Sequence, residues 1–252
     1  MPSPDAPITV GVLFYCRTGC TFRLVQHLCA GINAIPGVRA LPALVSDSRR
    51  LKEEYLAHQD AIMAAIERDL VASGEFAYPG AEVIPWKSIP LVDLNFLSQV
   101  DALLVGGPVY AGSLAAPVHG FWDLLAHSNP RGALAGKLAA PFATVSSALD
   151  GGESACLDLF SVLSSFGMTV VTLGYLDPAM SSGSTLSTVS ALVAQVGQRV
   201  DQRVFFRDLS VSWQLDEFTQ RTRLSAEDAR VAFKTGQLMA GTAKLSRLGA
   251  SA

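Results

Sequence analysis

The sequence predicts an α/β fold: a doubly wound parallel sheet of five strands with helices on both faces. Three observations carry this. Short apolar, β-branched runs alternate with longer segments whose apolar residues recur at helical spacing, the pattern of βα units wound into a parallel sheet. The first run, Ile8 to Tyr15, is apolar at consecutive positions, as a strand covered on both faces must be. Loops rich in Gly, Ser, Thr and Pro follow the first, third and fourth runs, and a parallel sheet brings all three to one edge, where ligands bind.

Ile8 to Tyr15 is thus the first strand. Thr21 to about Asn33 is a helix with Phe22, Val25, Leu28, Cys29 and Ile32 on one side, stopped near Pro36 and Gly37. Val38 to Val45 is the second strand, and Pro42, which has no N–H for a ladder, places it at a sheet edge. From Ser48 to Ser73 the apolar residues Leu51, Tyr55, Ile62, Met63, Ile66 and Leu70 have helical spacing, and Gly74 ends that helix. With the proline-bearing loop that follows, residues 47–90 read as a helical insertion within a single domain spanning 1–252.

Ala102 to Gly106 is the third strand, and Gly107 to Ser113 is a loop by composition. Pro117 to Ala126 is a helix carrying Val118, Phe121, Trp122 and Leu125 on one side. Leu138 to Val145 is the fourth strand, Ser146 to Gly152 a polar loop, Glu153 to Phe166 a helix, and Thr169 to Leu173 the fifth strand. Beyond it, Val189, Leu192, Val196, Val200 and Val204 are spaced for a helix, and 205–218 reads as loop. Ser225-Ala226-Glu227-Asp228 is a capped start for a C-terminal helix, with Val231, Leu238, Met239 and Leu245 on its apolar side.

The 252 residues are 50% apolar with a net charge of −3, enough for a sizeable core and without the basic surplus that nucleic acid demands. So apolar a composition favours self-association. No stretch approaches the roughly 18 uninterrupted apolar residues of a membrane span, and Met1 to Asp5 lack the basic start of a signal peptide. The four cysteines form no zinc-ligand spacing and indicate a reducing, cytoplasmic compartment.

The stretch Tyr15-Cys16-Arg17-Thr18-Gly19-Cys20-Thr21 joins the first strand to the first helix. The opening N–H groups of a helix lack intrahelical partners, and its dipole favours negative charge there. Gly19 lets the backbone approach a ligand, Thr18 and Thr21 add hydroxyls, and Arg17 adds charge, so a phosphate monoester fits. An ordinary strand-to-helix turn has the same outline. No G-x-S-x-G, metal motif or Ser/His/Asp arrangement is present, so no protein nucleophile is expected. His27, His58 and His127 read as structural or solvated, and His119 as a surface residue.

These residues resemble a known family. Thr18-Gly19-Cys20-Thr21 is similar to the T-G-x-T phosphate loop of flavodoxin-like proteins. The segment from Asp101 through Gly106-Gly107-Pro108-Val109-Tyr110-Ala111-Gly112-Ser113-Leu114 to Phe121-Trp122-Asp123 resembles their second flavin loop. Gly136-Lys137-Leu138-Ala139, Phe142, Gly151-Gly152-Glu153, Phe166-Gly167-Met168 and Gly174-Tyr175 resemble one branch, the NAD(P)H:quinone oxidoreductases similar to the tryptophan-repressor-binding protein.

The resemblance implies a flavodoxin-like five-stranded sheet that binds FMN and forms dimers or tetramers. It also implies a reaction in which hydride passes from NAD(P)H via FMN to a quinone or a similar flat small-molecule acceptor. The implied cofactor-binding residues are Cys16, Arg17, Thr18, Gly19, Cys20 and Thr21 at the phosphate. Pro108, Val109, Tyr110, Ala111, Gly112 and Ser113 would form one wall of the ring slot, and Thr144, Val145, Ser146, Ser147, Gly151 and Gly152 the other. Cys16 stands where flavodoxins carry Ser or Thr, and Tyr110 and Ala111 replace the branch's Arg and Phe. In this reading Tyr110 stacks on the ring, turns its hydroxyl to it or is simply an exposed loop residue, and Phe166, if it reaches the site from a neighbouring loop, narrows the acceptor pocket. Two alternatives stay open: a flavodoxin-type electron carrier, and a flavodoxin-like module that has lost FMN and acts as a binding protein.

Overall fold

Strand β1 (Ile8–Phe14) is buried at every residue and has a parallel neighbour on each side, β2 (Val38–Leu44) and β3 (Ala102–Tyr110). The computed structural model describes residues 6–47, 53–128, 134–146, 151–172, 192–195, 219–220 and 222–250. Beyond β3 lie β5 (Leu138–Val145) and then β6 (Thr169–Val170), so the sheet runs β2-β1-β3-β5-β6. The order reverses direction between β1 and β3, and the crevice for a ligand opens at the carboxyl ends of those two strands. The edge position expected of β2 from Pro42 is the one observed.

Among the described residues the expected five strands become seven. Strand β4 (Ser113–Leu114) folds back antiparallel on the end of β3. Strand β7 (Leu192–Gln195) pairs with β5 at Phe142–Val145, on the edge whose other end holds β6. The fifth place in the sheet is thus shared by two short strands. The helix expected across Val189 to Val204 is corrected accordingly, because residues 192–195 are strand. The remainder of that stretch, with 173–191 and 205–218, lies outside the described residues.

Helices cover both faces. On one side are α1 (Cys20–Asn33), α2 (Glu53–Ala72) and, after three shorter helices, α6 (Ala226–Ala250). On the other are α3 (Leu94–Gln99), α4 (Ala116–Ser128) and α5 (Gly152–Ser165). Helix α1 is buried from Thr21 to Ile32 because the sheet lies on one side of it and α6 on the other. The two helices touch backbone to backbone. A Cβ added at Gly31 would lie 1.9 Å from the Phe233 carbonyl oxygen, and one at Gly236 would lie 2.2 Å from that of Leu28.

Helix α6 starts as expected, with the Ser225 hydroxyl accepting from the Asp228 N–H at 3.0 Å. Leu245, assigned to its apolar side, is instead 71% exposed. Helix α2 buries Ile62, Met63, Ile66 and Leu70. The chain then returns along β2, where the Leu44 N–H donates to the Pro90 carbonyl and the Val92 N–H to the Leu44 carbonyl. That pairing covers the outer edge of β2 at its last residue, which would otherwise offer free backbone groups to another strand.

Candidate functional site

At the end of β1 the chain turns through residues 15–19 into α1. Gly19 is the N-cap, with φ +90°, and its carbonyl accepts the first helical bond from the Arg23 N–H at 2.9 Å. Only glycine fits there. The φ is left-handed, and an added Cβ would lie 1.9 Å from Ile66 Cδ1 of α2. The Cys16 sulfur accepts from the Phe22 N–H at 3.3 Å, and the Thr18 hydroxyl donates to the Cys20 sulfur at 3.7 Å. Burial pushes the Cys16 thiol up to about 12, with Cys20 adding to it and the N–H groups of Phe22, Gly19 and Thr21 opposing it. Burial likewise raises Cys20. Both stay neutral thiols at physiological pH, so neither would repel a phosphate dianion.

The Thr21 hydroxyl lies 2.8 Å from that of Thr144 on β5. Each hydroxyl carries one proton and their mutual bond uses one, so the pair keeps one donor for a ligand. This contact joins two residues expected on opposite parts of the site, across 123 positions of sequence.

The second loop, expected as a loop from Gly107 to Ser113, is corrected to a β-hairpin. Strand β3 runs on to Tyr110, Val109 pairs with Leu114 and Tyr110 with Ser113, and the turn is Ala111-Gly112 alone. Both turn residues have positive φ, +52° at Ala111 and +77° at Gly112, as a two-residue turn matched to strand twist requires. Both are exposed. Pro108 and Val109 are buried in the strand.

The third loop meets the hairpin at its tip. Gly151, the N-cap of α5 with φ +85°, is so close that an added Cβ would lie 2.5 Å from the Gly112 oxygen. Thr144, Val145 and Gly152 are buried and Ser146 is exposed, while Ser147 lies outside the described residues. The structure thus brings the three expected loops together at one sheet edge. Phe166 is not among them. It caps the far end of α5 and packs on Trp122 with ring centroids 5.2 Å apart, so it cannot narrow this site within one chain. His27 is structural, buried between the Tyr78 hydroxyl at 2.8 Å and Glu75 at 3.3 Å.

Two features lay beyond sequence reasoning. Helix α2 seals the outside of the first loop: Gln59 donates to the Cys16 carbonyl at 2.9 Å, and Ile66 sits on Gly19. Behind that loop, fully buried Arg23 donates to Asp69 at 2.6 Å, Glu75 at 2.8 Å, the Thr219 carbonyl at 2.9 Å and the Thr222 hydroxyl at 3.3 Å. The one sequence signal was a charge in the first turn of an apolar helix, and it names no partner.

Comparison with known proteins follows this geometry. Residues 95–177 match the NADPH-dependent FMN reductase family. An NAD(P)H dehydrogenase (quinone) of Chromohalobacter salexigens is 31% identical over 197 residues, covering 75% of this chain and 85% of that protein. An NAD(P)H quinone oxidoreductase of Candida albicans is 36% identical over 86 residues, 34% of this chain and 43% of that protein. A WrbA-like flavodoxin from Agrobacterium tumefaciens has a similar fold, with a TM-score of 0.53 at 16% identity over 94% of this chain and 98% of that one.

Proposed function

The chain belongs to the NAD(P)H dehydrogenase (quinone) family, and from that premise we propose that it binds FMN at the carboxyl edge of its sheet and passes electrons from NAD(P)H to a quinone. The observation that carries this reading is the convergence of three loops at the β1/β3 reversal, tied by Thr21 to Thr144 and by Gly151 against Gly112. The residues present fit the cofactor. The turn before α1 has a glycine cap, neutral thiols and a spare hydroxyl proton, all suited to a phosphate.

FMN, when bound, supplies the electron chemistry, accepting a hydride equivalent from NAD(P)H and returning two electrons to the acceptor. The protein's part is positional. Residues 16–21 hold the phosphate, Pro108 to Ser113 wall one side of the ring, and Thr144 to Ser146 with Gly151 and Gly152 wall the other. The turn at Ala111-Gly112 is small and exposed, which leaves an approach for a flat donor and then a flat acceptor in alternation. We propose further that residues 47–90 are an insertion in a single domain and that the protein is a cytoplasmic homo-oligomer. Exposed Leu124 on α4 and Leu157 on α5 support self-association, and four free cysteines support a reducing compartment. No helix among the described residues is long and apolar enough to cross a membrane.

The test is spectroscopic. The purified protein, given FMN if needed, should show the oxidised flavin bands, and flavin released by heat should comigrate with FMN. NADH or NADPH should bleach those bands in a stopped-flow mixing experiment, and a quinone should restore them. If neither nicotinamide bleaches the FMN-loaded protein, the electron-carrier reading takes over. A protein that takes up no FMN leaves only the binding-module reading.

A further inference from the structure

Strand β5 carries one polar side chain, Thr144, in an otherwise apolar run, and it is buried. Its neighbours fix the way it faces. Phe142 packs in the core on the side of α1, and Ala143 and Val145 pack in the core on the side of α5. Alternate residues of a strand share a face, so Thr144 looks with Phe142 toward α1. There its hydroxyl lies 2.8 Å from that of Thr21, which is buried too. Valine has nearly the shape of threonine and would suit this strand as well, so packing alone does not call for the hydroxyl.

Thr21 is the second residue of α1. A threonine further along a helix can give its proton to the carbonyl four residues back, but at the second position no carbonyl of the helix lies there. Among the described residues each of the two hydroxyls has the other as its sole hydrogen-bond partner. One proton joins them and one is left over, buried and without an acceptor, which is costly unless a ligand takes it. The leftover proton can sit on either residue. If Thr144 donates to Thr21, the free proton is that of Thr21, in the opening turn of α1, where the helix dipole and the unpaired N–H groups favour an anion. We propose that Thr144 is a phosphate-positioning residue: its hydroxyl donates to Thr21, fixes the Thr21 rotamer and leaves the Thr21 proton for the terminal phosphate of the flavin. This rests on the flavin reading above. A phosphate dianion only accepts, so its arrival selects this one of the two arrangements, and a hydroxyl that accepts from Thr144 is a stronger donor to the phosphate. The hydroxyl of Thr144 thus serves the phosphate, while its backbone remains part of the wall beside the ring.

The experiment titrates apoprotein with FMN and with riboflavin by flavin fluorescence, in the parent, Thr144→Val, Thr144→Ser, Thr21→Val and the double variant Thr21→Val with Thr144→Val. Thr144→Val should weaken FMN about tenfold, and Thr21→Val about ten- to a hundredfold. Riboflavin should bind all of them alike, and Thr144→Ser should bring FMN back to within about threefold of the parent. The double variant should bind FMN no more weakly than Thr21→Val, since Thr144 acts only through Thr21. Losses that add, equal weakening of both flavins, no rescue by Thr144→Ser or unchanged FMN affinity would each overturn the proposal. Should Thr144→Val not fold, the double variant, which replaces both hydroxyls by methyl groups of the same shape, is compared with Thr21→Val and decides alone. If the parent takes up neither flavin, the thermal shift by inorganic phosphate decides. A shift that Thr144→Val loses and Thr144→Ser keeps upholds the assignment while the flavin reading falls. An equal shift in the parent and Thr144→Val, or none in the parent, overturns it.

Discussion

At the end of the site proposed for the phosphate, residues 15–19 lie against α1 and α2, with Ile66 on Gly19 and Gln59 donating to the Cys16 carbonyl. At the end proposed for the ring, the hairpin turn at Ala111-Gly112 stands exposed and meets the third loop at Gly151. The contrast follows from what each end must do. A phosphate is the same group in every turnover, so donors fixed in advance lose nothing by being rigid. Donor and acceptor must exchange over the ring, so the wall there has to be small and open. Rigidity in this molecule is concentrated where the ligand does not change.

Removing Arg23 is the strongest way to break that contrast. Arg23→Ala leaves Glu75, 9% exposed, without its arginine partner, and Asp69, 14% exposed, with Arg223 alone. Breaking a buried ion cluster from one side costs about 3–5 kcal/mol. Urea unfolding should show a loss of that size, and FMN affinity should fall with it. A loss under about 1 kcal/mol, the value of an exposed pair, would show that the cluster does not brace the loop.

Acid should work on the same cluster more mildly. Burial pushes the Asp69 carboxyl up, but hydrogen bonds and charge from Arg223 and Arg23 outweigh it and hold the group below the usual carboxylate range. A depressed folded-state value contributes stability that is present above the unfolded value, about 4, and is lost as pH falls through the folded one. The urea midpoint should therefore hold from neutral pH to about pH 4 and drop below it, with that part of the drop absent in Asp69→Asn. A parent and variant with the same acid profile would dissociate Asp69 from the bracing.

The smallest effect belongs to the open end. Ala111 holds a φ of +52° that costs an L-residue about 1 kcal/mol or somewhat more. Ala111→Gly should raise stability by up to about 1 kcal/mol, less the extra freedom glycine gives the unfolded chain. A calorimetric melting temperature that drops instead would argue against a two-residue turn. FMN affinity should change little, which would sharpen the distinction between the two ends.

The first loop was legible because its determinants are contiguous: an apolar run, Thr18-Gly19-Cys20-Thr21, and a helix with one apolar side. Strand β5 was read at its full bounds for a similar reason. The hairpin was hidden because Gly107 and Pro108 look like loop punctuation, although both are buried in β3. Its turn also uses Ala-Gly where a hairpin is usually announced by Asn-Gly or Asp-Gly. Strand β7 was misread because Leu192 and Val196 are four apart, and a run of four residues is too short for periodicity to separate helix from strand. The seal by α2 had no local trace and the Arg23 cluster none beyond the arginine's own charge, since Gln59 lies 43 residues from Cys16, and Arg23 reaches Thr222 across 199.

That last span has a consequence for synthesis. Helix α6 is pressed onto α1 through Gly31 and Gly236, and the Arg23 cluster closes only with Thr219 and Thr222. A ribosome adding about 5–20 residues per second makes Thr222 roughly 10–40 s after Arg23. Through that interval α1 has emerged without its partner, and its apolar side at Leu28 and Ile32, fully buried in the finished fold, is uncovered. The nascent chain thus carries this apolar surface on α1 until the residues of α6 that cover it have been made.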